Sequence, residues 1–346
     1  MKIKKRINIF RRSLMRGLTK NIGQSSFDKK DVVKYPIRRI LISRPNHRLG
    51  NLLLITPLLQ ETINRFPDSK IDLFIKGGAG NVIFQNYKNV NRLIQLPKKP
   101  FSSLGTYLSS WVKIRFTKYD LVINANEESS SGRLSTLFAN SHYKFLGEYN
   151  QEADLLYTDY HHIAKYPIYN FRAYLKKMGF HVSYFDMPAL HLKLNSKELK
   201  NGKQVLMNIV KNDKKTICLF TNATGEKCYP ELWWGIFYEK IKTDFPDYNI
   251  IEMLPIENIS RLKRKVPGYY SDDIREMTSV IAQCALFIGA DSGVMHLAGA
   301  SGTPTMGLFC VTDEIKYAPY DNKSLAVNTN KLSNTEIMFV IADVLT

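Results

Sequence analysis

The amino-acid sequence predicts an α/β protein made of two doubly wound domains in series. Two observations lead there. Short apolar runs, such as RRILIS at Arg38–Ser43, IDLFI within Lys70–Lys76 and ALFIG at Ala285–Gly289, alternate with helix-length stretches. That is the rhythm of βαβ units in a parallel sheet. The rhythm breaks near Pro188 and then resumes, and 346 residues is the length of about two domains.

Taken in order, residues 1–34 read as a basic amphipathic segment followed by a polar linker. Met1–Lys20 carries Lys2, Lys4, Lys5, Arg6, Arg11, Arg12, Arg16 and Lys20 and no acidic residue. Ile3, Ile7, Phe10, Leu14 and Leu18 recur between them at helical spacing, which suits an anionic membrane surface. Residues 35–187 read as the first Rossmann-like domain. Its strands are Arg38–Ser43, Lys70–Lys76, Arg92–Leu96 and Asp120–Asn124, with helices at Asn51–Phe66, Leu104–Thr117, Ser131–Asn140 and Ile168–Gly179. Gln151–Tyr166, rich in tyrosine and histidine, reads as a loop. Residues 188–346 read as the second domain. Its strands are Thr216–Thr221, Asn249–Leu254, Ala285–Gly289 and Thr305–Phe309. Its helices are Ser196–Val210, Pro230–Thr243, Asn258–Lys265, Asp273–Cys284 and Ser333–Leu345, the last a candidate to pack back on the first domain.

Composition narrows the function. Hydrophobic residues make up 44% of the chain, enough for sizeable cores. The net charge of +18 points to an anionic partner, and no nucleic-acid-binding motif accompanies it. No apolar run reaches the ~20 residues that span a bilayer, and the start lacks a signal-peptide pattern. Cys218, Cys228, Cys284 and Cys310 form no CxxC pair, so reduced thiols in a cytoplasmic protein are expected and no metal site. P-loop, HExxH, GxSxG and EF-hand patterns are absent.

Four turns at strand ends carry chemistry, because ligands of open α/β sheets sit at the carboxyl ends of strands. Asp291-Ser292-Gly293 opens a short helix that holds His296. Free helix amides and an unobstructed Gly293 suit a diphosphate, with His296 as an added donor or charge. Asp291, itself anionic, is expected to cap the helix or hold a sugar hydroxyl. A purely structural role, with Asp291 as cap and His296 as a packing residue, fits the same local chemistry. At Arg44–Leu54, RPNHRLGNLLL, Arg44, His47 and Arg48 make the loop cationic, Gly50 permits a tight turn, and Asn51 can cap a helix or orient a hydroxyl. At Thr221–Trp234, the hydroxyls of Thr221 and Thr224 and the ammonium of Lys227 can donate to phosphate, while Trp233 and Trp234 read as partly core. After Asn249–Leu254, Glu257 suits a ribose hydroxyl pair or a helix start.

DSGVMHLAGASGTPTMGLF resembles the C-terminal signature of glycosyltransferase family nine, the heptosyltransferases, and Ile40–Leu59 matches a second motif in the expected order. The resemblance spans about Ile37 to Tyr320. It implies GT-B architecture, two Rossmann-like domains facing a central cleft, with the acceptor on the first domain and the donor on the second. It implies an inverting, metal-independent transferase that takes a sugar from a nucleotide-diphosphate donor such as ADP-heptose to a lipid-linked lipopolysaccharide or lipooligosaccharide core saccharide. Such an enzyme works at the inner face of the cytoplasmic membrane and needs no cofactor. The family's proposed base, an aspartate, corresponds here to Asn51, which cannot accept a proton at neutral pH. His47, Glu127 and Glu128 are the replacement candidates. Two alternatives stand beside this reading: the same fold with a different nucleotide sugar, and a catalytically impaired binding protein.

Overall fold

The computed structural model describes residues 23–26, 36–99, 102–180 and 186–346, so the basic segment 1–20 lies outside the described residues. The chain divides into two compact units. The first comprises the chain up to His47 together with Pro57–Pro188, and the second comprises Arg48–Thr56 with Ala189–Thr346. The second unit thus recruits a short stretch from the first half of the sequence, where the sequence suggests a single boundary near Pro188.

In the first unit the strands are β1 (Arg39–Arg44), β2 (Lys70–Lys76), β3 (Val90–Leu96), β4 (Tyr119–Asn124) and β5 (Ser141–Phe145). They form one parallel sheet in the order β3-β2-β1-β4-β5. The central strands are buried along nearly their whole length, as parallel sheets covered on both faces require. Asp72 on β2 is buried and is held by Arg92 Nη2 at 2.6 Å, Asn91 Nδ2 at 2.9 Å and the Tyr119 hydroxyl at 2.9 Å. Two short helices follow β1 in the sequence, α1 (Leu49–Leu53) and α2 (Thr56–Arg65), where the periodicity suggests one helix. Pro57 has no N–H to give, and the Thr56 hydroxyl donates to the Leu53 carbonyl at 2.7 Å instead, so the helix stops and restarts. Helix α1 belongs to the second unit; besides α2 the first unit holds α3 (Gly80–Phe84), α4 (Leu104–Phe116), α5 (Ser130–Phe138), α6 (Gln151–Leu156) and α7 (Tyr166–Lys177). Helix α6 replaces an expected loop; the Asn150 side chain caps it by accepting from the Ala153 amide at 2.8 Å.

In the second unit the strands are β6 (Thr216–Phe220), β7 (Asn249–Met253), β8 (Gly268–Tyr269), β9 (Leu286–Ala290), β10 (Thr305–Phe309) and β11 (Leu325–Asn328). The sheet is again parallel, in the order β11-β10-β9-β6-β7-β8. Around it lie α8 (Ser196–Val210), α9 (Glu231–Asp244), α10 (Ile274–Ile281), α11 (Gly293–Ser301), α12 (Glu314–Tyr317) and α13 (Asn334–Leu345). Ile337, Met338 and Ile341 of α13 join the core of this unit with Trp234, Phe237, Leu286 and Leu308. The last helix therefore belongs to the second unit's core. The expected helix over Asn258–Lys265 is absent. Buried Glu252 instead draws in the Ser260 hydroxyl and the Arg261 amide, and Asn258, Lys263 and Arg264 take left-handed backbone angles. Among the described residues no helix is long and apolar enough to cross a membrane.

Arg275 of α10 fixes the segment that leads into the second sheet. Its guanidinium donates to Glu198 Oε2 at 2.9 Å, the Leu192 carbonyl at 3.1 Å and the Lys193 carbonyl at 2.9 Å. Helices α8 and α10 approach closely there, since a Cβ on Gly202 would lie 2.2 Å from the Ser279 carbonyl oxygen. Gly202→Ala should therefore lower stability by roughly 1–3 kcal/mol or more, despite the better helix propensity of alanine. Denaturant unfolding would show it, and a gain in stability would disprove so close an approach.

Candidate functional site

In each sheet the order in which the strands are laid down reverses once. In the second unit the chain builds outward from β6 through β7 and β8, then returns to lay β9, β10 and β11 on the other side. The crevice beside β6 and β9, at their carboxyl ends, is where such folds bind ligands. Three neighbouring strand ends supply side chains to that place. Asp291 follows β9, Lys227 comes from a single 3₁₀ turn, Gly225–Lys227, after β6, and Thr312 follows β10. Lys227 Nζ lies 3.1 Å from Asp291 Oδ2, and the Thr312 hydroxyl donates to the same oxygen at 2.8 Å. Asp291 is 6% exposed, so its charge is satisfied by these partners and not by bulk water.

This corrects one of the two roles expected of Asp291, that of helix cap. The cap of α11 is Ser292, whose extended backbone lets Oγ accept from the Met295 amide at 3.2 Å. Asp291 instead holds Lys227 in place at the positive end of the helix. Gly293 and Ser292 are half-buried at that end. His296, one turn further in, is 6% exposed. Burial is the main cause that pulls its imidazole down to about 4; Lys227 adds to the shift and Asp291 opposes it. The ring is thus neutral at physiological pH and offers one N–H donor, not a standing charge.

The second sequence motif meets the first within this same unit. Helix α1 packs against α11. A Cβ on Gly50 would lie 2.9 Å from His296 Cδ2 and 3.4 Å from Gly293 Cα. Gly50 is therefore a glycine of close approach, placed inside the first turn of α1, and not the tight-turn residue the sequence suggests. Asn51 likewise lies within α1 and does not cap it; the cap position is Arg48, which makes no side-chain cap bond.

The other candidates separate. Thr221 is 1% exposed and its hydroxyl donates to Glu252 Oε1 at 2.6 Å, so it supports the strand end from below and is not a free phosphate donor. Thr224 is exposed just before the 3₁₀ turn. Glu257 is exposed in a turn closed by Asn258 N–H to the Pro255 carbonyl at 2.8 Å. Trp234 is fully buried in the core, and Trp233 stacks on Phe237 at 4.8 Å. Thr312 is the residue that sequence reasoning missed. It sits in no motif, and the signal that could have found it is its place just past the strand beside β9.

In the first unit the corresponding reversal lies between β1 and β4. Arg44 ends β1 and is 6% exposed, while His47 and Arg48 are exposed. The His47 Cβ lies 3.2 Å from where a Cβ on Gly77 would stand. Past β4, Glu127 is half-buried and Glu128 exposed. Burial pushes the hydroxyl of nearby Tyr166 up, with the Arg44 charge opposing.

A folded His296 stays neutral down to about pH 4, whereas an unfolded histidine takes a proton near 6.5. Stability that depends on the neutral ring is complete above about 6.5 and is lost as the pH falls towards 4. Acid unfolding of the wild type should accordingly be steeper in that window than that of His296→Asn. Equal slopes would show that His296 takes its proton in the folded state.

The chain is similar to known proteins in sequence and in fold. Residues 272–338, which include Asp291, Ser292, Gly293, His296 and Thr312, match the family model of glycosyltransferase family 9 (heptosyltransferase). The chain is 22% identical over 297 residues to lipopolysaccharide heptosyltransferase 3 of Escherichia coli, covering 80% of this chain and 85% of that one. Among solved structures, it is similar to a glycosyl transferase family 9 protein from Veillonella parvula, with a TM-score of 0.68 at 18% identity, covering 89% of this chain and 97% of the other. It is also similar to the E. coli heptosyltransferase WaaC solved with ADP-2-deoxy-2-fluoro heptose, with a TM-score of 0.61 at 16% identity, covering 88% and 99%. The fold is therefore the α/β GT-B fold with two Rossmann-like domains, and the chain is similar to the heptosyltransferases of glycosyltransferase family 9.

Proposed function

We propose that the chain is an inverting, metal-independent transferase that moves a heptose from ADP-heptose to a lipid-linked saccharide of the lipopolysaccharide or lipooligosaccharide core. The observation that carries this reading is the meeting of two motifs far apart in sequence, with Gly50 against His296 and Gly293 at the start of α11. The E. coli relative solved with an ADP-heptose analogue supports the choice of donor.

In this mechanism an acceptor hydroxyl attacks the anomeric carbon. The bond from that carbon to the diphosphate oxygen breaks, and the negative charge passes to the leaving ADP. The amides of Ser292 and Gly293 and the Lys227 ammonium receive that charge, and His296 adds a neutral N–H. Asp291 keeps Lys227 aimed while the site is empty. A bound diphosphate also favours a proton on His296, because a neighbouring anion raises a histidine's basicity. The acceptor's proton goes to a base, for which His47, Glu127 and Glu128 are the candidates, and Asn51 is suited to orienting a hydroxyl. Thr224 and Glu257 stand as outer donor contacts, and Arg44 and Arg48 as the cationic acceptor side. The basic segment 1–20 suits attachment to the inner face of the cytoplasmic membrane. Asn51 also supports a second reading, a transferase-like protein that binds the donor without turnover.

Lys227→Ala should reduce turnover with ADP-heptose by ~10²-fold or more, since it removes a charge from the developing diphosphate. Wild-type turnover in that variant would reject the donor site. Asn51→Asp should be neutral or harmful and His47→Ala costly, by ~10²-fold or more if His47 is the base. A large gain in Asn51→Asp, with His47→Ala unchanged, would establish the second reading instead.

A further inference from the structure

Helix α4 is apolar on two sides. One side packs into the first unit's core: Ser110 and Ile114 are buried, and Tyr107 and Trp111 lie against a cluster that includes Phe74, Ile94 and Tyr119. The other side is uncovered. Leu104, Leu108, Val112 and Phe116 are 52%, 55%, 51% and 82% exposed. They recur every fourth residue, so they form one continuous stripe along a helix about 20 Å long. Helix α5 extends the patch with Leu134 and Phe138, and the Phe138 ring stands edge-on to Trp111 at 5.7 Å. A second apolar face left uncovered on a helix marks a place where another apolar phase can pack.

The charge around the stripe has one sign. Lys98, Lys99, Lys113, Arg115 and Lys118 are exposed, and the Arg115 guanidinium lies over the Phe138 ring at 5.9 Å. The sequence from Pro97 to Tyr119 contains no aspartate or glutamate, and neither does the sequence from Ser129 to Gly147. A second copy of this chain would bring cations against cations. The segment 1–20, equally basic, meets the same repulsion. An anionic bilayer complements both properties, with acyl chains for the stripe and headgroups for the cations.

We propose that the α4–α5 face docks on an anionic lipid bilayer, with Leu108, Val112 and Phe116 at the acyl boundary and Lys113, Arg115 and Lys118 among the headgroups. The surface is distinct from residues 1–20 and from the candidate donor site. The proposal therefore stands or falls independently of sugar transfer.

The test is co-sedimentation of the full chain with phosphatidylcholine vesicles, with and without phosphatidylglycerol. Wild-type protein should bind the phosphatidylglycerol vesicles, less so at high salt. Leu108→Ser with Phe116→Ser should cut that partitioning about tenfold or more while leaving thermal unfolding unchanged, because both residues are exposed. Lys113→Gln with Arg115→Gln should lose the preference for the anionic vesicles. A chain lacking residues 1–20 should keep a bound fraction that Leu108→Ser with Phe116→Ser removes. The proposal is overturned if the serine pair binds vesicles as well as the wild type, in the full chain or the shortened one. It is equally overturned if the stripe instead mediates a dimer in buffer that the serine pair dissolves without any lipid binding.

Discussion

Gly50 bears no side chain because His296 occupies the space one would need. That steric constraint explains the organisation of the second unit. It allows the start of α1 to lie against the start of α11, and it draws residues 48–56 into a unit whose other residues begin at Ala189. It also helps to bury His296, and burial is the main cause that keeps the ring neutral. A larger residue at position 50 would have to displace a buried imidazole and the helix end beneath it.

Around that contact, parallel topology places the polar groups. In a sheet whose strands all run one way, the carboxyl ends share an edge, and side chains from distant sequence positions converge there. Asp291, Lys227 and Thr312 come from the ends of β9, β6 and β10, which are adjacent in the sheet. Their mutual bonds satisfy a nearly buried carboxylate and fix the direction of a lysine that would otherwise sample many rotamers. The strands below contribute only packing. Leu286, Phe287 and Ile288 are fully buried, and the site rests on that rigid layer.

The sequence reveals the parts of the fold that are buried on both faces. Runs such as Ile40–Ile42 and Leu286–Ile288 are uniformly apolar because water reaches neither side. Of the edge strands only β3 was legible; SHYKF in β5 and LAVN in β11 escaped notice because they are short and mix polar with apolar residues. The candidate site drew notice where a glycine and a histidine fall within one helical turn, at Gly293 and His296. The cap role expected of Asp291 fails because an aspartate before a helix looks alike whether it caps the helix or holds a lysine from another strand. Glu257 drew attention as a carboxylate past β7, yet the buried and fully bonded carboxylate there is Glu252, whose partners only the fold discloses. Thr312 carries no local pattern at all.

The second unit is discontinuous in sequence, and this bears on how the protein can be dissected. A fragment cut at the linker, beginning at Ala189, carries the whole matched family region yet lacks the helix that lies against His296. Its imidazole would open to water and regain the basicity of an ordinary histidine. The inheritable module is therefore not the C-terminal half alone but that half plus a short loan from the N-terminal half. A functional swap between relatives would have to carry Arg48–Thr56 along with it.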